Sequence, residues 1–265
     1  AQAAGIPSGP RAQSGAGAGS DVVRSPVGVS GAALAFAVVA AAANVMGAAA
    51  VTWRREWSAR ALETMIALAA GFMIAASVTD IFPVAIARGG TTAALVALLG
   101  YALVHLTQHT LAPHFHFGEE THEVSNVVSV SALVGLLLHT FVDGVAIASA
   151  FGVSRSLGLL VFLAILLHKF PEGLAISSLF LAAGAGRARA LYAAGALGAA
   201  TIAGVALTSV VELLATWGLA LSAGVTLYVG ASNLVPEFQA KGGWRLPLAF
   251  FAGCGIYVAA RMLVR

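Results

Sequence analysis

Long apolar runs, separated by short polar or glycine-rich breaks, dominate the hydrophobic pattern of the chain. A helix that spans a bilayer needs about 20 mostly apolar residues, and eight segments of this sequence reach that length. The boundary after the sixth segment is the least defined, because only Glu212 and Gly218 interrupt the apolar run there. The pattern predicts an all-α polytopic membrane protein whose eight transmembrane helices cover approximately residues 27–52, 60–87, 91–112, 126–152, 156–182, 188–211, 216–240 and 246–264.

Two stretches fall outside this pattern. Residues 1–26 are rich in Gly, Ala, Ser and Pro, and they lack the continuous apolar core of a signal peptide. Residues 113–125 are polar and contain several His and Glu. We therefore expect a flexible extracytoplasmic tail over 1–26 and one transmembrane domain over 27–264, interrupted by a His/Glu loop at 113–125.

Composition supports a membrane location. Of the 265 residues, 59% are hydrophobic and 9% are charged, whereas soluble domains carry about 25% charged residues. The 30 glycines fit helices that approach one another closely in lipid. The basic residues stand singly or in pairs, which argues against a nucleic-acid partner. The single cysteine, Cys254, excludes an intramolecular disulfide and a zinc site made of thiolates.

Lys and Arg are concentrated in alternate loops. The second, fourth and sixth loops hold only Arg88 and Arg155. The odd-numbered loops hold seven basic residues, which are Arg54, Arg55, Arg60, Arg187, Arg189, Lys241 and Arg245. Because basic loops stay in the cytoplasm, we expect the odd loops inside, including the His/Glu loop, and both termini outside.

Two internal repeats organise the segments. The sequence HTFVDGVAIASAF (139–151) returns 29 residues later as HKFPEGLAISSLF (168–180), with seven of thirteen positions identical. A weaker repeat of 153 residues relates AGFM (70–73) to AGVT (223–226). Repeats in oppositely directed segments are typical of transporters that bind substrate near the bilayer midplane. For the weaker repeat, chance similarity among alanine-rich helices is the alternative.

The stronger repeat carries the candidate chemistry. His139 and Asp143 are four residues apart, as are His168 and Glu172, so each pair shares one helix face. Two imidazoles and two carboxylates at one depth suit a zinc ion. Two unpaired carboxylates in the bilayer would be costly, and a divalent cation removes that cost. The alternative is a structural pair that locks two helices together, and the duplication favours metal binding.

Proline and glycine residues lie next to the two acids, Asp143 and Glu172. Pro171 cannot donate a hydrogen bond to Leu167, so it predicts a kink one residue before Glu172 with a free carbonyl inside the bundle. Gly144 and Gly173 directly follow the two acids, and they allow close backbone approach.

These motifs resemble a known family. HTFVDG, HKFPEG and the turn-like NLVPE (233–237) are similar to the signature segments of ZIP transporters, and the resemblance extends over about residues 27–264. It implies a bacterial-type homodimer of eight-helix protomers in the inner membrane, with two inverted three-helix repeats flanking helices four and five. It also implies alternating-access transport of a divalent ion (Zn²⁺ first, then Cd²⁺, Fe²⁺ or Mn²⁺) into the cytoplasm, with the metal as substrate and no cofactor.

Two positions depart from the family pattern. Many members carry amide or acidic residues directly after each histidine, and these complete a second adjacent metal site; here the positions are Thr140 and Lys169. A protonated lysine repels a cation and can supply the charge that a second ion would bring. Alternatively, Lys169 pairs with Glu172 or Asp143 only for charge balance. Both interpretations predict one metal ion rather than two.

The second segment offers further candidates. The family places a thioether from this helix at the metal, which makes Met73 the expected additional ligand, although a buried methionine is also ordinary core filling. Ser77 lies one turn outward on the same face, and Asp80 lies near the outer end. Both are candidates for the entrance; a solvated helix end is the alternative for Asp80.

Candidates for the exit lie toward the cytoplasmic ends of the helices. His105 and His109 share one face of the third segment, and Asn233, Glu237 and, more weakly, Glu63 would line the same route. A cluster in the third loop could accept the departing metal or could simply be polar, and its residues are His114, His116, Glu119, Glu120 and His122.

The competing function class is an intramembrane zinc-dependent hydrolase. Such an enzyme needs His-Glu-x-x-His, in which the glutamate is the general base. In HKFPE the base position is Lys169 and the second histidine position is Glu172. The sequence therefore predicts that the chain is not an enzyme. A metal-gated receptor without transport remains a third class.

Overall fold

The chain folds as a bundle of helices. A computed structural model describes residues 31–53, 59–110, 126–239 and 241–264. Its helices, in chain order, are α1 (Gly31–Trp53), α2 (Ala59–Ala76), α3 (Phe82–Thr110), α4 (Asn126–Val153), α5 (Arg155–Ala182), α6 (Arg187–Val210), α7 (Glu212–Tyr228), α8 (Pro236–Gln239) and α9 (Arg245–Val264). Two π-helical turns, Ser77–Ile81 and Val229–Leu234, follow α2 and α7. The described residues contain no strand, which confirms the all-α prediction.

Seven helical runs in this described part are long and apolar enough to cross a membrane. One of them, Glu63–Gln108, is 46 residues long and covers the second and third predicted segments together. Gly90 breaks it with φ 55° and ψ −141°, inside the loop that the sequence predicts at 88–90. A positive φ of this kind is readily available only to glycine. The chain is thus a multi-pass membrane protein.

The junction between α6 and α7 differs from the prediction. The seventh segment was expected to begin at residue 216, whereas α7 begins at Glu212. Val211 alone separates the two helices, with φ −104° and ψ 104°. Glu212 stands in the first turn of α7, where a carboxylate stabilises the positive end of the helix dipole. The predicted start was therefore wrong, because the acid begins the helix instead of interrupting the loop before it.

Helix pairing follows a two-fold pattern. The most extensive contacts are α3 with α7, α1 with α5, α4 with α6, and α2 with α9. If α1 is exchanged with α6, α2 with α7, α3 with α9 and α4 with α5, the same four pairs result. This is the pairing expected of two inverted three-helix repeats around α4 and α5.

The two π-helical turns are equivalent under the weaker repeat. The Phe82 amide donates to the Ser77 carbonyl, and the Val235 amide donates to the Gly230 carbonyl. Each donor lies 153 residues from its counterpart, and so does each acceptor. Because π-helical turns are rare, their recurrence at the repeat spacing favours a true repeat over chance similarity.

Glycine contacts hold the two central helices against their neighbours. A Cβ on Gly144 would meet the Thr201 carbonyl oxygen of α6, and a Cβ on Gly173 would meet the Asn44 carbonyl oxygen of α1. The contacts also run the other way, since Gly204 lies against Phe141. A methyl group would push these helices apart. The glycines that follow the two acids therefore fix the depth of the acids in the bundle.

Candidate metal centre

Four side chains from α4 and α5 converge in the middle of the bundle. His139, Asp143, His168 and Glu172 each offer one ligand atom, and these atoms all lie within 4.8 Å of one another. All four side chains are buried. The i,i+4 spacing on each helix produces the two pairs, and the α4–α5 contact brings the pairs together. The structure thus assembles the four residues that the sequence predicts as ligands.

The protonation of one histidine follows from its hydrogen bond. His168 Nδ1 lies 2.9 Å from the Ala164 carbonyl oxygen, which can only accept. Nδ1 therefore carries a proton, and in the neutral ring Nε2 holds a lone pair. That Nε2 atom lies 3.3 Å from Asp143 Oδ2. Two acceptors at this distance repel each other unless a proton or a metal ion lies between them.

One carboxylate oxygen is the centre of the cluster. Asp143 Oδ2 is 3.4 Å from His139 Nε2, 3.3 Å from His168 Nε2 and 2.7 Å from Lys169 Nζ. Lys169 is completely buried, and its ammonium group lies 2.8 Å from Glu172 Oε2 as well. The lysine thus pairs with both acids, and it balances part of their charge in apolar surroundings.

Both carboxylate oxygens of Glu172 accept hydrogen bonds. Thr140 Oγ1 donates to Glu172 Oε1 at 2.7 Å, while Lys169 Nζ donates to Oε2 at 2.8 Å. Each carboxylate oxygen has two lone pairs, so Glu172 keeps the capacity to bind a metal. Thr140 and Lys169 stand at the two positions where the sequence departs from the family pattern, and both contact this acid.

Among the described residues, the His139 imidazole has a partner at only one of its two ring nitrogens. His139 Nε2 faces Asp143, whereas its Nδ1 atom is buried without a hydrogen-bond partner among the described residues. The two imidazole centroids are 5.5 Å apart. A metal bound at Nε2 would leave the Nδ1 proton without an acceptor, a role that a water molecule in a polar site can fill.

A cavity of about 420 Å³ lies beside the ligands. It is lined by parts of α2, α3, α4, α5 and the second π-helical turn, with His139, His168 and Glu172 at its inner wall. Gln108 and Asn233 line the same cavity. Asn233 was predicted for the exit, whereas Gln108 was not, although it directly precedes His109 in the sequence. The cavity lies toward the odd-numbered loops.

On the opposite side of the site, the π-helical turn that follows α2 contacts α7. Ser77 Oγ donates to the Ala223 carbonyl oxygen at 3.0 Å, and both residues are buried. The counterpart of Ser77 under the 153-residue repeat is Gly230, which has no hydroxyl to donate. The two repeats therefore differ at this contact.

Asp80 takes part in a second polar cluster. Its Oδ2 atom accepts hydrogen bonds from the Tyr257 hydroxyl and, at 3.3 Å, from Thr79 Oγ1. Arg261 Nε lies 2.7 Å from the same oxygen, as an ion pair outside hydrogen-bond geometry. Asp80 is buried at the π-helical turn that follows α2, and this cluster ties that turn to α9.

The structure shows the surroundings of three other predicted residues. Met73 is buried in the apolar core, with its Cβ facing Gly230. His105 is exposed, and its Nδ1 atom is 3.3 Å from the Tyr228 hydroxyl. Glu63 forms ion pairs with Lys241 at 3.0 Å and Arg245 at 2.5 Å.

The remaining predictions fall outside what the structure describes. The side chains of His109 and Glu237 are not among those described, although their backbones belong to α3 and α8. The tail at 1–26 also lies outside the described residues, as do the loop residues His114, His116, Glu119, Glu120 and His122.

Comparison with known proteins gives one match. A family model described as "Zip: ZIP Zinc transporter" matches residues 104–260, which is more than half of the chain. The matched range contains α4 to α8 and most of α9, and so it includes all four clustered ligands. No curated protein matches the sequence.

Proposed function

Since the chain belongs to the ZIP zinc transporter family, which moves divalent metal ions, we propose that its cargo is Zn²⁺ and that the ion binds between α4 and α5. The observation that carries this proposal is the convergence of one ligand atom from each of His139, Asp143, His168 and Glu172, all within 4.8 Å of one another. A divalent cation among them would bind two imidazole nitrogens and two carboxylate oxygens. Cd²⁺, Fe²⁺ and Mn²⁺ are secondary candidates, because nitrogen and oxygen donors also accept them.

The four ligands fit zinc in number and type. His139 and His168 each supply Nε2, while Asp143 and Glu172 supply oxygens, which gives a four-coordinate site of mixed donors. Met73 would add a thioether and favour Zn²⁺ or Cd²⁺ over Mg²⁺ or Ca²⁺. The hydrogen bond from His168 to Ala164 orients the imidazole, as outer-shell partners commonly do for zinc ligands.

A single ion is proposed at this centre. Lys169 already bridges Asp143 and Glu172, at 2.7 and 2.8 Å, on the side where a second ion would share the same oxygens. Repulsion between the ammonium group and a divalent ion is strong in surroundings of low dielectric constant. Thr140, which contacts Glu172, provides a hydroxyl in place of a better metal ligand.

Transport is proposed to run by alternating access toward the odd-loop side. We interpret the cavity on that side as the open route and the Ser77–Ala223 contact as part of the closed side. The excess of Lys and Arg in the odd loops supports a cytoplasmic location for that side. The cargo would then move inward across a bacterial inner membrane, with both termini extracytoplasmic.

Residues along the route are assigned by their place in the bundle. Asp80 and Ser77 lie toward the proposed entrance, while Asn233 and His105 lie toward the proposed exit. The His/Glu loop is assigned to the exit from its place in the sequence. Because loop residues have no fixed helical spacing, we propose that the loop tunes release without being required. Neutralising His114, His116 and His122 together should leave measurable zinc uptake, and complete loss in a folded protein would contradict this role. The protomers are proposed to form a homodimer.

The hydrolase alternative is not favoured. Lys169 occupies the position of the general base, and its ammonium group is held by two carboxylates. A base in such an enzyme must accept a proton from metal-bound water, which a protonated lysine cannot do.

The test is uptake of metal ions by purified protein in proteoliposomes. Zn²⁺, Cd²⁺, Fe²⁺, Mn²⁺ and Mg²⁺ are compared, each with and without a pH gradient. We expect saturable uptake with Zn²⁺ preferred and Mg²⁺ excluded. Binding of Zn²⁺ without any uptake would reject transport and leave the receptor hypothesis.

A further inference from the structure

A second cavity lies at the even-loop end of the bundle, away from the four ligands. It has a volume of about 560 Å³ and is formed by α3, α4 and α7. Its polar lining residues are Arg88, Ser149, Thr216 and Trp217. No carboxylate lines it, so its charge is positive, which is unexpected on the proposed entrance side of a cation transporter.

Two of these groups have no partner among the described residues. Arg88 is exposed and forms neither a hydrogen bond nor an ion pair there. The Ser149 side chain is 8% exposed, and its Oγ atom is buried without a hydrogen-bond partner. A buried hydroxyl left unpaired is costly, and a bound acceptor would satisfy it.

The surrounding backbone adds to the positive potential. The part of α3 after Gly90 begins beside the cavity, since Gly89 and Ala93 both line it. A helix begins with the positive end of its dipole, which favours anions. Gly89 packs closely on the indole of Trp217, because an added Cβ would lie 2.8 Å from the ring. This contact holds the Arg88–Gly90 turn at the cavity edge.

We propose that this cavity binds a phosphate group, either of a lipid headgroup or of free inorganic phosphate. Arg88 would provide a charged fork matched to phosphate oxygens, and Ser149 and Thr216 would provide hydroxyl donors. The bound group would bridge α4, which carries His139 and Asp143, to α3 and α7. Its binding does not depend on the proposed metal cargo.

The experiment measures binding in two arms on the full chain in neutral detergent. Inorganic phosphate is titrated, with chloride as the reference anion, and Trp217 fluorescence is followed; a Trp217→Phe variant identifies the reporter signal. Native mass spectrometry then compares phosphatidylglycerol with diacylglycerol, which lacks the phosphate. Binding in the first arm identifies free phosphate as a ligand, and binding in the second identifies a lipid headgroup.

Arg88→Gln should weaken phosphate or phosphatidylglycerol binding by at least about tenfold, because a charge-assisted hydrogen bond is lost. Ser149→Ala should weaken it by about three- to fivefold, as expected for a neutral hydrogen bond. Arg155→Gln is the matched control, since Arg155 is the other exposed arginine of the even loops and does not line the cavity. Absence of binding in both arms would overturn the proposal, as would equal weakening by Arg88→Gln and Arg155→Gln.

Discussion

Two clusters of buried carboxylates stand in this bundle and are built differently. The central cluster joins Asp143 and Glu172 to one lysine and two imidazoles, and it opens to a cavity. The second polar cluster holds Asp80 against Tyr257 and Arg261 of α9. In both, positive charge offsets the cost of a carboxylate in apolar surroundings. Only the central cluster adds imidazole nitrogens, which are common zinc ligands.

Under the proposed function, this difference separates a site for exchangeable cargo from a structural tie. Asp80 Oδ2 is contacted by a phenol, a threonine hydroxyl and a permanently charged guanidinium, all fixed on the protein. At the central cluster, two imidazoles and two carboxylates each turn one ligand atom toward the others, and one lysine pairs with both acids. Further positive charge can come from a metal ion. Charge balance alone therefore does not distinguish the two clusters, whereas the presence of imidazole ligands does.

The largest effect on zinc uptake is expected when both imidazoles of the central cluster are removed. In His139→Ala/His168→Ala the central cluster keeps its acids and its lysine but loses its nitrogen donors, so it becomes a structural cluster like that of Asp80. We expect saturable zinc uptake to fall to the background of empty liposomes. Size-exclusion elution and the Tm in detergent serve as controls for folding. Uptake at the normal rate would remove these residues from the transport site.

A substitution of Lys169 tests the same comparison by adding metal ligands to the central cluster instead of removing them. Lys169→Asp removes a positive charge and adds oxygen ligands beside Asp143 and Glu172, so two ions should bind where one binds in the unchanged protein. Bridged ions of this kind lie about 4 Å apart. Anomalous scattering from zinc-soaked crystals counts them. Lys169→Met is the matched control, because it removes the charge without adding a ligand, and it should not gain a second ion.

A pair of matched amide substitutions compares the two clusters directly. Asp143→Asn should reduce zinc uptake to background, because it neutralises the oxygen that three cationic or metal-binding groups share. Asp80→Asn should keep uptake within about tenfold and instead lower the Tm, since breaking a buried pair costs about 3–5 kcal/mol. Partial exposure of Arg261, at 32%, reduces that cost. Loss of uptake without loss of stability in Asp80→Asn would make Asp80 part of the entrance instead.

Much of the central site could be predicted from the sequence, because each His–acid pair lies within one helical turn. A spacing of four residues places His139 and Asp143 on one helix face independently of how the helices pack, and the 29-residue repeat duplicates the pair. The helices themselves follow from apolar length. The same local logic failed at α7, where Glu212 begins the helix and Val211 alone forms the break.

The second polar cluster could not be predicted from spacing along the chain. Asp80 and Tyr257 are 177 residues apart, and only the packing of α2 on α9 brings them together. The convergence of His139, His168 and Lys169 on the single atom Asp143 Oδ2 likewise depends on the relative rotation of α4 and α5. Helix rotation is set by long-range contacts such as those of Gly144 with α6, which the spacing within one segment does not encode.

The smallest effect is expected at Glu63, a carboxylate outside both clusters, where α2 and α9 meet at their odd-loop ends. Lys241 and Arg245 flank it with side chains 42% and 44% exposed, and exposed ion pairs stabilise by about 0.2–1 kcal/mol. Glu63→Gln should therefore lower the Tm by about 3 °C at most. High salt should abolish this difference, because screening weakens exposed pairs but not buried ones, and Asp80→Asn should keep its effect under the same conditions. Zinc uptake decides between the two roles of Glu63. An unchanged rate assigns the residue to the α2–α9 contact, whereas slower uptake at unchanged Tm would place it on the exit route.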